Sequence, residues 1–295
     1  MSELILAGLD GSNPLGFLAA LGVLEATTAR GARLAWRDVG VWRPVLISPI
    51  EDIDALIVAL DADRRACIED PALSLEYGGT YDLKPPPGVF RGFLERLLAD
   101  AAPHARRSVD WAAAFATDVA VDNNGNTKPT ALHFTAGNQV WLEMVRRLSE
   151  EVTPDDLREA LVGPWRYERK LPVLSWDATV SRDYALRATN PALEKKAGVP
   201  GADWLAVRGL PSLAVVPRGT QVATPGCTGE WKTGRFTWPL WTVPLGLDLV
   251  RSTLRLADLD SERVREARGI GIVFESGIRR SDQGGYGTFT PASVV

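Results

Sequence analysis

The stretch Leu6-Ala-Gly-Leu-Asp-Gly-Ser-Asn-Pro-Leu-Gly-Phe-Leu-Ala-Ala-Leu-Gly-Val-Leu24 decides how this 295-residue chain begins to fold. It passes from a short apolar strand, through a Gly-Ser-Asn-Pro turn, into a helix. Asn13 is placed to cap that helix by accepting from free amides of its first turn. Pro14 takes the first helical position, where a missing N–H costs nothing. From Leu15 to Leu24 the helix is apolar on nearly every face, which predicts a buried element. Gly16 and Gly22 each cost roughly 1 kcal/mol inside a helix, so their presence predicts close packing against a neighbour.

Outward from that stretch, Arg33–Asp38 and Val41–Ser48 read as a hairpin around Gly40. Glu51–Cys67 follows as an amphipathic helix with Ile53, Leu56, Ile57 and Leu60 on one face. Pro85-Pro-Pro87 is a break before a helix carrying Phe90, Phe93 and Leu97, and a further helix spans Ser108–Ala116 with Ser108 as its cap. Asp122-Asn-Asn-Gly-Asn126 is a turn, since Asn and Gly accept positive φ. A helix runs from Gly137 to Glu151, and Thr153-Pro-Asp-Asp opens another with a cap and an acidic first turn. Val162–Trp241 reads as short strands rich in Pro, Gly and Trp. Helices over Pro244–Leu256 and Asp260–Ala267, a strand at Gly269–Phe274 and a glycine-rich segment Ser276–Gly287 complete the chain. The expected fold is a single α+β domain over residues 1–295. A helix-rich N-terminal half packs on mainly antiparallel strands, the C-terminal half is loop-rich, and a soft seam falls near 151–153.

No apolar run approaches the roughly 20 residues of a membrane helix. The opening Met-Ser-Glu-Leu-Ile-Leu has no positive n-region or cleavage site. Cys67 and Cys227 have no metal-type spacing. The expectation is a cytoplasmic protein with reduced thiols, no membrane partner and no metal or cofactor. Net charge is −4, but residues 1–100 carry 9 Lys/Arg against 15 Asp/Glu, while residues 101–295 carry 24 against 22. Without a Lys/Arg run, tight autonomous DNA binding is disfavoured, because such affinity comes from displacing phosphate counterions.

Several residue groups bear on chemistry. Ser12 and Asn13 lie at a strand-to-helix turn whose amides suit an anion, although a cap and tight turn is the plainer reading. The turn lacks the Lys and glycines of a phosphate-binding loop. His104 and His133, the two histidines, have no adjacent aspartate. Cys67 reads as lying on a surface-type helix beside Arg64 and Arg65. Trp176-Asp177 with Arg182-Asp183-Tyr184 holds two carboxylates near an arginine, suited to metal or acid–base work or to a structural ion-pair knot. Residues 263–280 carry five Arg against two Glu. There Arg279 and Arg280 supply phosphate-compatible forks, the following glycines permit close approach, and Tyr286 or Phe289 offers a stacking ring; a solvated hairpin is the alternative. Trp231, Trp238 and Trp241 read as core, with Thr237–Trp241 an edge strand that tolerates Pro239.

Asn13-Pro-Leu-Gly-Phe-Leu-Ala-Ala-Leu-Gly-Val-Leu24 resembles the N-terminal signature of type I-G (formerly I-U) CRISPR-associated large-subunit-like proteins. It looks closest to the family described as an extension of the type I-G helicase-nuclease. Thr135-Ala-Gly-Asn-Gln139, Gly163-Pro-Trp-Arg-Tyr167, Trp176-Asp177, Tyr184-Ala-Leu-Arg187, Thr237-Trp-Pro-Leu-Trp241 and Gly287-Thr-Phe-Thr-Pro-Ala292 fit the same picture. The resemblance implies a non-catalytic subunit or accessory factor of an antiviral defence system. Its partners would be effector-complex subunits or the helicase-nuclease, and the backbone of guide RNA or target DNA. The competing readings are a metal-dependent hydrolase or nuclease acting through Asp177 and Asp183, and a scaffold that contacts only protein.

Overall fold

In the computed structural model, which describes residues 1–100, 105–135, 139–179, 197–230, 232–281 and 286–295, the opening stretch folds as its sequence predicts. Strand β1 (Ser2–Ile5) leads to helix α1 (Pro14–Thr27), with the Asn13 side chain accepting from the Leu15 amide. Thirteen of the fourteen α1 residues are buried. Strands β2 (Arg33–Asp38) and β3 (Trp42–Ser48) form the hairpin around Gly40, and β1 adds to β3 to give a three-stranded antiparallel sheet.

Helix α2 (Ile53–Arg65) is capped by Asp52 and buries Leu56, Ile57 and Leu60. Cys67, expected on an exposed helix, follows the end of α2 and is fully buried; Arg64 is buried too, donating to Asp61. After the small hairpin β4 (Glu76–Tyr77) and β5 (Thr80–Tyr81) come α3 (Pro87–Ala99) and α4 (Ala105–Phe115). Ser108 does not cap α4. It lies inside the helix and donates to Asp70 Oδ1 at 2.7 Å, because α4 begins three residues earlier than its polar cue suggests. Strands β6 (Ala116–Val121) and β7 (Thr127–Pro129) flank the expected turn, where Asp122 Oδ1 accepts from the Asn124 and Asn126 amides. Helix α5 (Trp141–Glu151) starts later than the sequence reading, and Gly137 lies outside the described residues. Helix α6 (Pro154–Val162) has a reciprocal capping box between Thr153 and Asp156.

The main departure falls in Val162–Trp241. Helix α7 (Pro200–Gly209) stands where short strands were expected, and all ten of its residues are buried. Because it is buried on every side, Asp203 and Arg208 included, its sequence shows little amphipathic period, which is the signal that distinguishes a helix from a strand. It packs against α1 at very short range. A Cβ built on Gly22 would lie 1.7 Å from the Leu205 carbonyl oxygen, and one on Gly209 would lie 2.4 Å from that of Leu18. The predicted close packing of Gly22 is therefore met by a helix that the sequence reading missed.

Two further hairpin strands, β8 (Val216–Arg218) and β9 (Gln221–Ala223), precede the larger sheet. That sheet runs β10 (Cys227–Thr228), β11 (Gly234–Trp241), β12 (Ile270–Arg280), β13 (Gly287–Phe289), with β14 (Ser293–Val294) also pairing β12. All described strand pairs are antiparallel, in a mixed α+β fold. Because β10 covers only Arg235 and Phe236 of β11, Pro239 sits where one side of the strand carries no ladder. Helix α8 (Leu247–Thr253) starts later than expected, since Leu245 is taken by a bridge to Leu34, and α9 spans Glu262–Ala267.

On the face away from α7, Phe17 of α1 stacks on Trp36 of β2 and contacts Trp238 and Phe236 of β11. Trp238 and Trp241 are fully buried, while Trp231 lies outside the described residues. The apolar cluster runs without a break from Leu6 to Phe289 and includes Val152, between α5 and α6. Among the described residues no helix is long and apolar enough to cross a membrane.

Gly22→Ala is expected to destabilise the chain by roughly 1–3 kcal/mol, as an overpacked core position. Gly92→Ala in α3, where a Cβ would meet nothing closer than the Arg96 guanidinium at 3.7 Å, should instead stabilise it by about 0.4–1 kcal/mol. Urea unfolding of both variants checks the pair.

Candidate functional site

Strand β12 runs past Phe274, where the sequence reading ended it, as far as Arg280. Arg279 and Arg280 are thus strand residues, and successive strand residues point to opposite faces. The two guanidiniums are held differently. Arg279 is exposed. Arg280 is half-buried and donates to the carbonyls of Ala131 at 2.8 Å and His133 at 3.0 Å, with its guanidinium over the Phe134 ring. Burial pulls its pKa down to about 10, so it stays charged at neutral pH.

Tyr286 is partly exposed and closes the hairpin, its amide donating to Ser281 Oγ and its carbonyl accepting from the Ser281 amide. Positions 282–285 lie outside the described residues. Gly287 does permit a close approach, but of Phe134: a Cβ there would lie 2.3 Å from the Phe134 ring. Phe289 is buried against Phe134 and Phe236, so it is a core residue and not a stacking platform.

The second group of candidates converges on Asp177. This carboxylate is buried and accepts from Asn13 Nδ2 (2.8 Å), the Tyr167 hydroxyl (2.8 Å), and the amide and hydroxyl of Thr179 (2.9 and 2.7 Å). Among the described residues all four donors are neutral, and the part of the knot they form is built of hydrogen bonds. Arg182, Asp183, Tyr184 and Arg187 lie outside the described residues, as does His104. Tyr167 and Ser175, on the loop that presents Asp177, have φ of 58° and 65°. That region is uncommon for non-glycine residues, and such strain gathers where a side chain must be held in place. Burial also pushes the Tyr167 phenol well above its usual pKa, so it remains a donor. Asn13 is itself buried and serves both the helix cap and the Asp177 knot, while Ser12 serves the turn, its Oγ donating to Asp10.

These two groups meet across one cavity of about 1220 Å³. Among the described residues its wall includes Asp177, Arg279, Arg280 and Tyr286, with Arg147 and Lys170. The sequence reading had not singled out Arg147 or Lys170. Arg147 is ion-paired to Glu151 at 2.6 Å, and Lys170 is exposed. Glu143 adds an exposed carboxylate, while the carboxylates of Asp177 and Asp203 are buried. Among the described residues the accessible charge on this wall is therefore mainly cationic. Among the described residues no three His, Cys, Asp or Glu side chains are grouped as metal ligands.

His133, next to the carbonyl that Arg280 engages, is buried, with Nε2 3.1 Å from Thr135 Oγ1 and its ring against Trp141. Burial, then Lys84 and Arg280, lower its pKa to about 3. No family model matches this chain, and no curated protein matches it.

A folded-state pKa depressed below the unfolded value of about 6.5 means that the unfolded chain binds the extra proton. The stability held by neutral His133 is present above pH 6.5 and is lost as pH falls toward 3. His133→Gln should flatten the fall in unfolding free energy between pH 6.5 and 4.5 by up to about 1.4 kcal/mol per pH unit, read from urea titrations at each pH.

Proposed function

We propose that this chain is a non-catalytic subunit or accessory factor of a type I-G CRISPR antiviral defence system. It works in the cytoplasm and contacts effector proteins together with the backbone of guide RNA or target DNA. The observation that carries this reading is the 1220 Å³ cavity with accessible Arg279 and Lys170, the anchored Arg280, and the Tyr286 ring. Cations over a groove neutralise phosphates, and an aromatic side chain accepts a base by stacking without reading its identity.

A second support is the way the family-like stretches lean on one another. Asn13 holds Asp177, Tyr167 holds the same carboxylate, and the Trp238 indole donates to Gly11 beside Asn13. The Trp176 indole donates to Leu132, and Gly287 packs on Phe134, next to Thr135. These contacts join described residues that lie far apart in the chain. An overall charge of −4 fits a subunit whose partners supply most of the basic channel.

The hydrolase alternative needs Asp177 and Asp183 together, and Asp177 is already committed to four neutral donors. The purely protein-binding scaffold differs from the favoured reading in one measurable respect: it has no salt-dependent affinity for nucleic acid.

Anisotropy of a fluorescein-labelled dT20 strand, titrated with intact protein from 50 to 200 mM NaCl, tests the reading. Arg279→Ala should reduce the slope of log affinity against log salt by roughly 0.7, one phosphate contact on a single strand. Equal slopes would favour the scaffold. Cleavage of the strand in Mn²⁺, abolished by Asp177→Asn, would favour the hydrolase.

A further inference from the structure

Arg280, tethered to Ala131 and His133, lines a second cavity as well, of about 870 Å³. Its walls are the β6–β7 turn, the β8–β9 hairpin, β10 and the loop that follows it, and the near end of β12. Local hydrogen bonds fix how these pieces meet. The Thr127 amide donates to the Pro85 carbonyl at 2.8 Å, which brings Lys84 alongside β7. The Ala131 amide donates to Thr224 Oγ1 at 2.9 Å, which ties the end of β7 to the end of β9.

Three cations face this space: Lys84, Lys128 and Arg280. Lys84 is half-buried and makes no hydrogen bond or ion pair among the described residues. Lys128 is held by a neutral group, Gln221 Oε1 at 2.5 Å, so its charge is uncompensated by that contact. Two carboxylates share the wall, Asp122 and Glu230. Asp122 is turned into its own loop, where it accepts from two backbone amides. Among the described lining residues there is no aromatic ring except the neutral imidazole of His133, which is buried. The cavity therefore offers charge and amide donors without a stacking surface, the complement of a phosphate–sugar unit and not of a base.

We infer that this second cavity is a phosphate-binding site, in which Lys84 and Lys128 hold the oxyanion beside the anchored Arg280. The phosphate chemistry stands on the cavity's own residues. That the phosphate belongs to a nucleic-acid strand, continuing from the first cavity past Arg280, rests on the function proposed above. A free phosphate-bearing metabolite has the same oxyanion and is the other source to be distinguished.

Cys227 supplies a local reporter, because it lines the same cavity and is partly accessible, whereas Cys67 is fully buried. Burial pushes the Cys227 thiol up to about 12, with Arg280 acting the other way, so alkylation is slow and is best followed over hours at pH 8.5. The intact protein is treated with iodoacetamide with and without millimolar pyrophosphate or micromolar dT20, and Cys227 labelling is read by peptide mass spectrometry. Pyrophosphate should slow labelling at least threefold in the wild type and leave the rate unchanged in the Lys84→Gln/Lys128→Gln double variant. The same double variant should lower the dT20 salt slope by about 1.4, two contacts at roughly 0.7 each.

Protection by dT20 at lower concentration than pyrophosphate assigns the phosphate to a strand. Protection by pyrophosphate with no binding of dT20 keeps the phosphate site and overturns the strand, and with it the function proposed above. A wild-type labelling rate indifferent to pyrophosphate, or equal protection of the double variant, overturns the site itself. If the Arg279→Ala slope still changes in that case, the first cavity stands without the second. Circular dichroism and unfolding of the double variant exclude a folding defect as the cause.

Discussion

Two helix backbones, α1 and α7, come together where neither carries a side chain, and the remainder of the molecule is arranged around that contact. Gly22 faces the Leu205 carbonyl, and Gly209 faces the backbone of Leu18 and Gly22. At such distances no Cβ can be accommodated at either position without moving a backbone. Helices that approach so closely are screened from water along their whole length, so every polar group they carry needs a protein partner. Glu25 on α1 accepts from Ser212 and Arg251. Burial raises its pKa while Arg251 and Ser212 oppose the rise. Arg208 on α7 makes a two-pronged pair with Asp63 and lies against Trp111. Desolvating these charges is costly, and the partners offset that cost in place.

The opposite face of α1 transmits its position to the candidate site. Phe17 fixes the helix on Trp36 and Trp238, and the Trp238 indole holds the Gly11 carbonyl two residues before the cap. Asn13, which closes that turn, bonds both the Leu15 amide and Asp177. A single buried amide side chain thus couples the start of the central helix to a loop near the middle of the chain. Tyr167 and Ser175 accept left-handed backbone on that loop, and the bonds around Asp177 offset the strain.

Arg280 plays the corresponding part on the sheet side. Its donors are anchored by carbonyls of the segment between β7 and α5, and its alkyl stem shares a face with buried Ile278. The guanidinium forms part of the wall of two cavities of different character, one with the Tyr286 ring and one lined by lysines and amides. A charge held in this way loses little rotamer entropy on meeting an anion, in contrast to a free surface lysine.

What the sequence by itself determined is what depends on neighbours a few residues away. The Asn13 cap, the Pro14 start of α1, the Thr153–Asp156 box, the turn at Asp122 and the β2–β3 hairpin are all local hydrogen-bond or steric problems with one good solution. The burial of α1 was legible too, because a helix apolar on every face has no exposed orientation. What only the tertiary structure decided depends on partners distant in the chain. Helix α7 was hidden by burial on every side, which blurs the 3.6-residue period and leaves its glycines and proline to suggest loops. Ser108 resembled a cap until Asp70, 38 residues away, claimed its hydroxyl. Arg279 and Arg280 read alike in the sequence until the carbonyls of Ala131 and His133, about 150 residues upstream, claimed the Arg280 guanidinium. Asp177 finds its amide donor 164 residues upstream. A carboxylate's donors are chosen by whichever elements the packing brings beside it, and that choice is made by the fold as a whole.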